Sequence, residues 1–193
     1  LLVGAYAAKL HITENYTAKY AEKYNSAFLY GPDGTKYPRR YDKIHLVPFG
    51  EVVPFKKSIP WLYDILMVFS PYDYDYSLDY GQNHTVFEIT PPNEPNVPDY
   101  NFSVLICYED TDPDLAREFA LDKTGHKQID FFVNISNDGW FVSFEAGKTR
   151  PTSELPQHVA ACVFRAVENR LPVVRSVNTG ISCIIDSTGN VRD

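Results

Sequence analysis

Cys107 lies where a catalytic nucleophile would be expected. It ends the apolar run Phe102–Cys107, which predicts a strand buried on both faces. A helix start follows within a few residues, because Asp112 can cap a helix and Pro113 can occupy its first position. Strand ends often present catalytic side chains, and a thiol near a helix N-terminus or a cation is shifted towards the nucleophilic thiolate. Position alone leaves an alternative of about equal weight, since most free cysteines are small buried hydrophobes.

Three charged residues could assist such a thiol. Lys43 and Glu51 lie in one proline-punctuated segment, and Glu109 follows Cys107 by two positions. A lysine held among apolar residues could stabilise a developing oxyanion or favour a thiolate. The glutamates could orient that lysine or act as acid and base. Taken singly, a solvated Lys43 and a surface Glu51 are the commoner situations, whereas Glu109 directly follows a buried strand.

A loop after the apolar run Phe131–Ile135 supplies candidates for substrate binding, namely Asn137, Trp140 and Phe141. The sequence Asn-Asp-Gly also favours a turn, which is the simpler explanation for the first part of this loop. The Trp-Phe pair, if exposed, would suit an apolar substrate or a membrane surface. We interpret His45 as a residue that stabilises its own loop.

Short apolar runs alternate with helical patterns, which predicts an α/β or α+β sandwich. Residues 39–54 are expected to form a structured loop. Residues 56–100 are the least regular, and 70–100 form either a surface insertion, which we favour, or a lid over the substrate. In the second predicted helix, one face carries the apolar residues Val159, Cys162, Val163, Ala166 and Val167. The predicted elements are strands at Leu1–Ala8, Asn25–Tyr30, Phe102–Cys107 and Phe131–Ile135, helices from Asp112 to about Leu121 and over Pro156–Arg170, and a hairpin of Val173–Val177 with Ser182–Ile185.

Length and composition narrow the class of protein. The 193 residues suit one domain, and a net charge of -7 with scattered basic residues argues against nucleic-acid binding. Three widely spaced cysteines predict neither a disulfide framework nor a metal site. No apolar run is long enough to span a bilayer. Because the chain starts in a strand without Met, we expect it to be part of a longer polypeptide.

Taken together, these segments resemble the carbon-nitrogen hydrolase (nitrilase) superfamily, and most closely its apolipoprotein N-acyltransferase branch. Lys-x-His and Cys-Tyr-Glu are shared across much of the superfamily, whereas His-Leu-Val-Pro-Phe-Gly-Glu and Ser-Asn-Asp-Gly-Trp-Phe are far more typical of that branch. The matching segments occur in the family's order and cover most of the chain: Tyr41–Pro54, Leu105–Glu109, Asn134–Phe141, and Gln157-His158 through Arg165–Glu168 to Arg175–Ile181.

The resemblance implies a role for each catalytic candidate. Cys107 would be the nucleophile and Lys43 the lysine of a Glu-Lys-Cys triad, with Glu51 and Glu109 as additional catalytic carboxylates. The implied fold is the αββα sandwich of the nitrilases, an α+β architecture, with residues 1–193 as a partial domain. The family's general-base glutamate is expected upstream of Leu1, as are the first part of the catalytic domain and a membrane domain. We therefore expect these 193 residues alone to be inactive.

The resemblance also implies a reaction without a cofactor. An acyl chain would pass from a phospholipid to Cys107 as a thioester, and then to the N-terminal amine of a diacylglyceryl-cysteine lipoprotein. The partners would be phospholipid, lipoprotein and, through the upstream region, the bacterial inner membrane, with the catalytic domain on the periplasmic side. Two alternatives stay open: a soluble amidase that uses water as acceptor, and an inactive nitrilase-like binding domain. Upstream sequence with several apolar spans would favour the acyltransferase over the amidase.

Overall fold

The architecture comprises two main β-sheets with helices packed on them, in a computed structural model that describes residues 1–12, 18–55, 58–68, 75–91, 96–145 and 148–192. Within these ranges the strands are β1 (Leu2–Ile12), β2 (Ala18–Tyr30), β3 (Lys36–Asp42), β4 (Phe87–Ile89), β5 (Tyr100–Ile106), β6 (Phe131–Asn137), β7 (Val142–Glu145), β8 (Lys148–Pro151), β9 (Val173–Asn178), β10 (Cys183–Ile185) and β11 (Val191–Arg192). The helices are α1 (Pro60–Val68), α2 (Pro113–Ala120) and α3 (Glu154–Asn169), with short 3₁₀ helices at Cys107–Thr111 and Asp138–Phe141.

The larger sheet has the strand order β11-β10-β9-β6-β5-β4. Its centre is parallel, since β6 pairs in parallel with both β5 and β9, and its outer pairs are antiparallel. Strands β5 and β6 therefore end at the same edge, and the two 3₁₀ helices begin there. This edge brings the Cys107 turn next to the loop that follows β6.

The smaller sheet, β1-β2-β3, is antiparallel and packs on the larger one. Ala27 and Tyr41 share one buried cluster with Val104 of β5, and a side chain at Gly4 would contact Ile135 of β6. Phe119 of α2 belongs to the same cluster. The result is a sandwich of two sheets and helices, as the sequence predicts.

Several elements match their predicted positions closely. The Asp112 side chain accepts hydrogen bonds from the amides of Asp114 and Leu115 at the start of α2, with Pro113 in the first turn. β9 and β10 form the expected antiparallel hairpin. Each of these elements has a strong local signal, namely a cap or an apolar run.

Three expectations about local structure are wrong in part. The supposed loop at 39–54 begins inside β3, an edge strand that can accommodate Pro38. The irregular region 56–100 contains α1 and β4; the sequence of α1 is apolar almost throughout, so no helical alternation of apolar and polar residues reveals it. Residues 69–74 and 92–95 lie outside the described residues, so the choice between insertion and lid for residues 70–100 remains a prediction.

The third correction concerns the buried face of α3. Val167 is 46% exposed, whereas His158 and Arg165 are buried. These polar side chains point inward because they have buried polar partners there: His158 pairs with Asp110 and Asp138, and Arg165 donates to the Asp110 carbonyl. Among the described residues, no helix has the length and apolar character needed to cross a bilayer.

Candidate active site

Lys43 and Glu51 form a buried ion pair. Lys43 follows β3 directly, its side chain is fully buried, and its Nζ lies 2.6 Å from Oε2 of Glu51. Asn25 Nδ2 donates to Oε1 of Glu51 at 2.9 Å, and the Val47 amide donates to Oε2 at 2.9 Å. A buried ammonium needs such a partner, because an unpaired buried charge is very costly. Lys43 is therefore not a solvated surface lysine, nor is Glu51 a surface charge.

The backbone at Lys43 is fixed by the close approach of Gly81. The Gly81 amide donates to the Lys43 carbonyl at 2.7 Å. A Cβ at Gly81 would lie only 1.9 Å from the Asp42 carbonyl oxygen, so no other residue fits without a backbone shift. The Lys43 amide in turn donates to the Asn25 carbonyl of β2 at 2.8 Å, so the backbone at the lysine is held at both its amide and its carbonyl.

Glu109 connects the Lys43 loop to the Cys107 turn. Its Oε1 accepts from the Tyr41 hydroxyl at 2.6 Å and from the amides of Ile44 and His45 at 2.8 and 3.0 Å. Its Oε2 accepts from the Ile106 amide at 2.7 Å. Burial raises the pKa of Glu109, and the hydrogen bonds from Tyr41, Ile106 and His45 oppose that rise. With both oxygens accepting, the contacts suit the ionised carboxylate.

Cys107 occupies a strained position at the end of β5. Its φ of 53° lies in the left-handed region, which is unusual for a residue with a side chain. Such strain costs about 1–3 kcal/mol and persists only where the surroundings enforce it. The residue is partly exposed, unlike buried Cys162 and Cys183. Ile44 follows Lys43 and Ile106 precedes Cys107, and the amides of Ile44 and Ile106 both donate to Glu109. One carboxylate therefore connects the segment of the lysine to that of the cysteine.

The Asn137–Phe141 loop borders this region. Asn137 Oδ1 accepts a hydrogen bond from the Gly139 amide at 3.1 Å, and this contact stabilises the turn. The Trp140 ring is 66% exposed and lies against Gly50, beside Glu51. The Phe141 ring packs edge-on against His158. Of the three candidates for substrate binding, Trp140 offers the most accessible apolar surface.

His45 joins its loop to the start of α2. Its Nδ1 lies 2.8 Å from Oδ2 of Asp112, the residue that caps the helix. Burial alone would raise the pKa of Asp112, but the Leu115 amide and His45 lower it below its ordinary value. The contact agrees with the interpretation of His45 as a loop-stabilising residue.

A buried ionic cluster next to the Cys107 turn escaped the sequence analysis. It contains Asp110, Asp138, His158 and Arg175, all essentially buried. The signal that could have indicated it is the spacing of His158, Cys162 and Arg165 on the same helix face as Val159. Polar residues on an otherwise apolar face suggest buried partners. Among the described residues no group of His, Cys, Asp or Glu is arranged to hold a metal ion.

Comparison with known proteins relates the chain to a family. The carbon-nitrogen hydrolase family model matches residues 3–192. The apolipoprotein N-acyltransferase of Geobacter metallireducens is 39% identical over 171 residues, which are 87% of this chain and 27% of that protein. The apolipoprotein N-acyltransferase of Bdellovibrio bacteriovorus is 32% identical over 191 residues, 99% of this chain and 30% of that protein. The chain thus spans less than a third of the length of either relative.

A solved structure supports the same conclusion for the fold. The carbon-nitrogen hydrolase of Helicobacter pylori is similar with a TM-score of 0.55 at 13% identity, covering 98% of this chain and 56% of that one. This likeness confirms the predicted nitrilase-like α+β sandwich. The match of the family model to residues 3–192 shows that the chain belongs to the carbon-nitrogen hydrolase family.

Proposed function

We propose that this domain transfers an acyl chain from a phospholipid, through a thioester on Cys107, to the N-terminal amine of a diacylglyceryl-cysteine lipoprotein. The observation that best supports this proposal is the buried Lys43–Glu51 pair, tied through Glu109 to the strained Cys107 turn. The names of the relatives from Geobacter and Bdellovibrio favour acyl transfer to a lipoprotein over hydrolysis of a small amide. The full-length protein would act at the bacterial inner membrane, with this domain on the periplasmic side.

The first half-reaction forms the thioester. A general base, which the resemblance predicts upstream of Leu1, takes the Cys107 proton, and the sulfur attacks the ester carbonyl carbon of the phospholipid. A carbon–sulfur bond forms, the carbon–oxygen bond breaks, and the lysophospholipid oxygen leaves with the proton. The Lys43 ammonium, held in place by Glu51, stabilises the developing oxyanion. Glu109 holds the backbones beside both residues in register.

The second half-reaction transfers the acyl chain to nitrogen. The lipoprotein amine attacks the thioester carbonyl, a carbon–nitrogen bond forms and the carbon–sulfur bond breaks. The proton lost from nitrogen passes through the base to Cys107, which restores the thiol. Sulfur is a good leaving group for this step. Because the lysophospholipid leaves before the amine attacks the thioester, the reaction should have ping-pong kinetics.

The acyl chain requires an apolar surface near Cys107. Trp140 and Phe49 are 66% and 57% exposed, and Trp140 lies on Gly50, the residue after Phe49. We assign the acyl chain to this aromatic surface. Phe141 and Asn137 would act mainly by shaping the loop that presents Trp140.

Intact-mass and peptide mass spectrometry of the full-length protein test the proposal. Incubation with phosphatidylethanolamine should add one acyl group at Cys107 that hydroxylamine removes, and a diacylglyceryl-cysteine peptide should then discharge it as an amide. Cys107→Ala should abolish the adduct, whereas Cys183→Ala, at a buried cysteine of β10, should retain it. Absence of the wild-type adduct, with ammonia release from a small amide, would favour the amidase instead. A Cys107 that neither acylates nor hydrolyses amides would favour an inactive binding domain.

A further inference from the structure

The buried ionic cluster links four separate parts of the chain. Asp110 belongs to the first 3₁₀ helix, Asp138 starts the second, His158 lies on α3 and Arg175 on β9. Arg175 contacts both carboxylates, with Nη1 3.2 Å from Oδ2 of Asp110 and Nη2 2.8 Å from Oδ2 of Asp138. His158 does the same, with Nε2 2.9 Å from Oδ2 of Asp110 and Nδ1 3.1 Å from Oδ1 of Asp138.

Neighbouring polar groups complete the cluster. Ser136 Oγ donates to Oδ1 of Asp138 at 2.7 Å, and Cys162 Sγ donates to Oδ2 of Asp110 at 3.2 Å. Arg175 also donates to the Asn134 side-chain oxygen, and Arg165 Nη1 donates to the Asp110 carbonyl at 3.2 Å. The two carboxylates are therefore satisfied from several directions, as buried charges require.

The position of the cluster, rather than its stability, suggests its purpose. Asp110 lies three residues after Cys107 in the same 3₁₀ helix, and Asp138 starts the helix that contains Trp140. Trp140 in turn contacts Gly50, next to Glu51. The cluster thus connects the turn of the proposed nucleophile with the loop assigned to the acyl chain.

Displacement of Cys107 by a fraction of an ångström would affect the chemical step more than binding. Attack requires the sulfur and carbonyl carbon to approach within about 3–3.5 Å in a defined direction, and a misplacement of about 1 Å can cost about 100-fold in rate. Binding of a long acyl chain is spread over many weak contacts. A defect in the cluster should therefore appear in kcat and not in KM.

We propose that His158 and Arg175 are positioning residues for acyl transfer, which by bridging Asp110 and Asp138 hold the Cys107 turn in its reactive place against the Trp140 loop. This inference rests on the proposed function. Neither residue touches the reacting atoms; each acts through a carboxylate. We assign the role to both residues, because each contacts both carboxylates.

The test compares variants of the full-length protein in steady-state acyl transfer from phosphatidylethanolamine, which gives kcat and KM, and in single-turnover acylation of Cys107. We expect His158→Gln to lower the acylation rate about 10- to 100-fold while KM for the phospholipid changes less than about twofold. Arg175→Lys keeps the charge but cannot match both carboxylates with a planar fork, so its rate should lie between those of the wild type and Arg175→Gln. The matched control is His84→Gln, since His84 likewise pairs with a carboxylate, Glu118, and packs edge-on against a phenylalanine.

Two measurements separate positioning from loss of fold. The fraction of folded protein is measured for every variant, and the rate of Cys107 alkylation by iodoacetamide is followed by peptide mass spectrometry. A rate that falls only in proportion to the folded fraction, or a raised KM with unchanged kcat, would overturn the proposal. If His158→Gln does not fold, Arg175→Lys provides the same test.

Failure of the proposed function would be visible separately. A wild-type protein that forms no thioester with phospholipid refutes acyl transfer, and the alkylation rates still report on the placement of Cys107. Alkylation that is equally fast in wild type, His158→Gln and Arg175→Lys would then refute the positioning as well. Alkylation altered in both variants but not in His84→Gln would support it.

Discussion

Replacement of Glu109 by glutamine tests whether this carboxylate holds the Lys43 loop to the Cys107 turn. The substitution preserves shape and removes one acceptor oxygen and the negative charge. Glu109 binds the amides of Ile44 and His45 on one side and that of Ile106 on the other. Glutamine retains one acceptor oxygen, so we expect the substitution to loosen only the amide that loses its acceptor, and not the whole fold.

The magnitude follows from the distribution of the hydrogen bonds. Oε1 accepts three, from the Tyr41 hydroxyl and the amides of Ile44 and His45, and Oε2 accepts one, from Ile106. A glutamine should therefore keep its carbonyl oxygen at the Oε1 site and turn its NH₂ group towards the Ile106 amide. A buried donor without an acceptor costs about 1–3 kcal/mol. Removal of a charge that burial disfavours offsets part of this, so we expect the lower half of that range. Glu109→Ala should cost several times as much.

Hydrogen exchange of the full-length protein, resolved by mass spectrometry, measures the effect. In Glu109→Gln the Ile106 amide should exchange about 5- to 30-fold faster, because each 1.4 kcal/mol corresponds to a factor of ten. The amides of Ile44 and His45 should keep their protection. Glu88→Gln, at an exposed glutamate of β4, is the control. Equal acceleration of all three amides, or none, would refute the assignment of one bond to Oε2 and three to Oε1.

Two further predictions concern the ionic cluster. Burial alone would lower the pKa of His158, but the hydrogen bond and charge of Asp110 raise it above 6.5. Its stabilising effect is therefore complete below about pH 6.5 and is lost as the pH rises through the folded-state pKa. Denaturant unfolding between about pH 6 and pH 9 should show this loss in the wild type and not in His158→Gln; parallel profiles would contradict it. Gly180→Ala would place a Cβ 2.3 Å from Oδ2 of Asp138, and should lower the free energy of unfolding by about 1–3 kcal/mol. An unchanged free energy in the same unfolding assay would show that the loop yields without cost.

The elements that could be predicted from the sequence are those with a local physical cause. β5 and β6 are runs of apolar residues, and α2 has both a capping side chain and a proline in its first turn. α1 could not be predicted in this way because its sequence is apolar almost throughout and shows no contrast between an apolar and a polar face. β3 was not predicted because it contains Pro38, and a strand accommodates proline only at the edge of a sheet, where β3 lies.

In the candidate site, too, some residues could be predicted from the sequence and others could not. Lys43 and Glu51 are eight residues apart and Cys107 and Glu109 two, so each pair is visible within one segment. The ionic cluster depends on residues up to 65 positions apart, such as Asp110 and Arg175. Each of them is an ordinary surface residue when considered alone. The parallel order of β5, β6 and β9 brings Asp110, Asp138 and Arg175 together, and α3 adds His158.

The neighbouring carboxylates Glu109 and Asp110 hold one short turn from two sides. Glu109 accepts mainly backbone amides and so connects to the Lys43 loop, whereas Asp110 pairs with the side chains of His158 and Arg175. In the arrangement that we propose, the first contact sets the distance to the lysine and the second sets the distance to the Trp140 loop. A left-handed conformation at Cys107 relaxes unless its surroundings determine it on more than one side. The paired acidic residues therefore explain how a non-glycine residue retains that conformation at the end of a strand, with its thiol partly exposed.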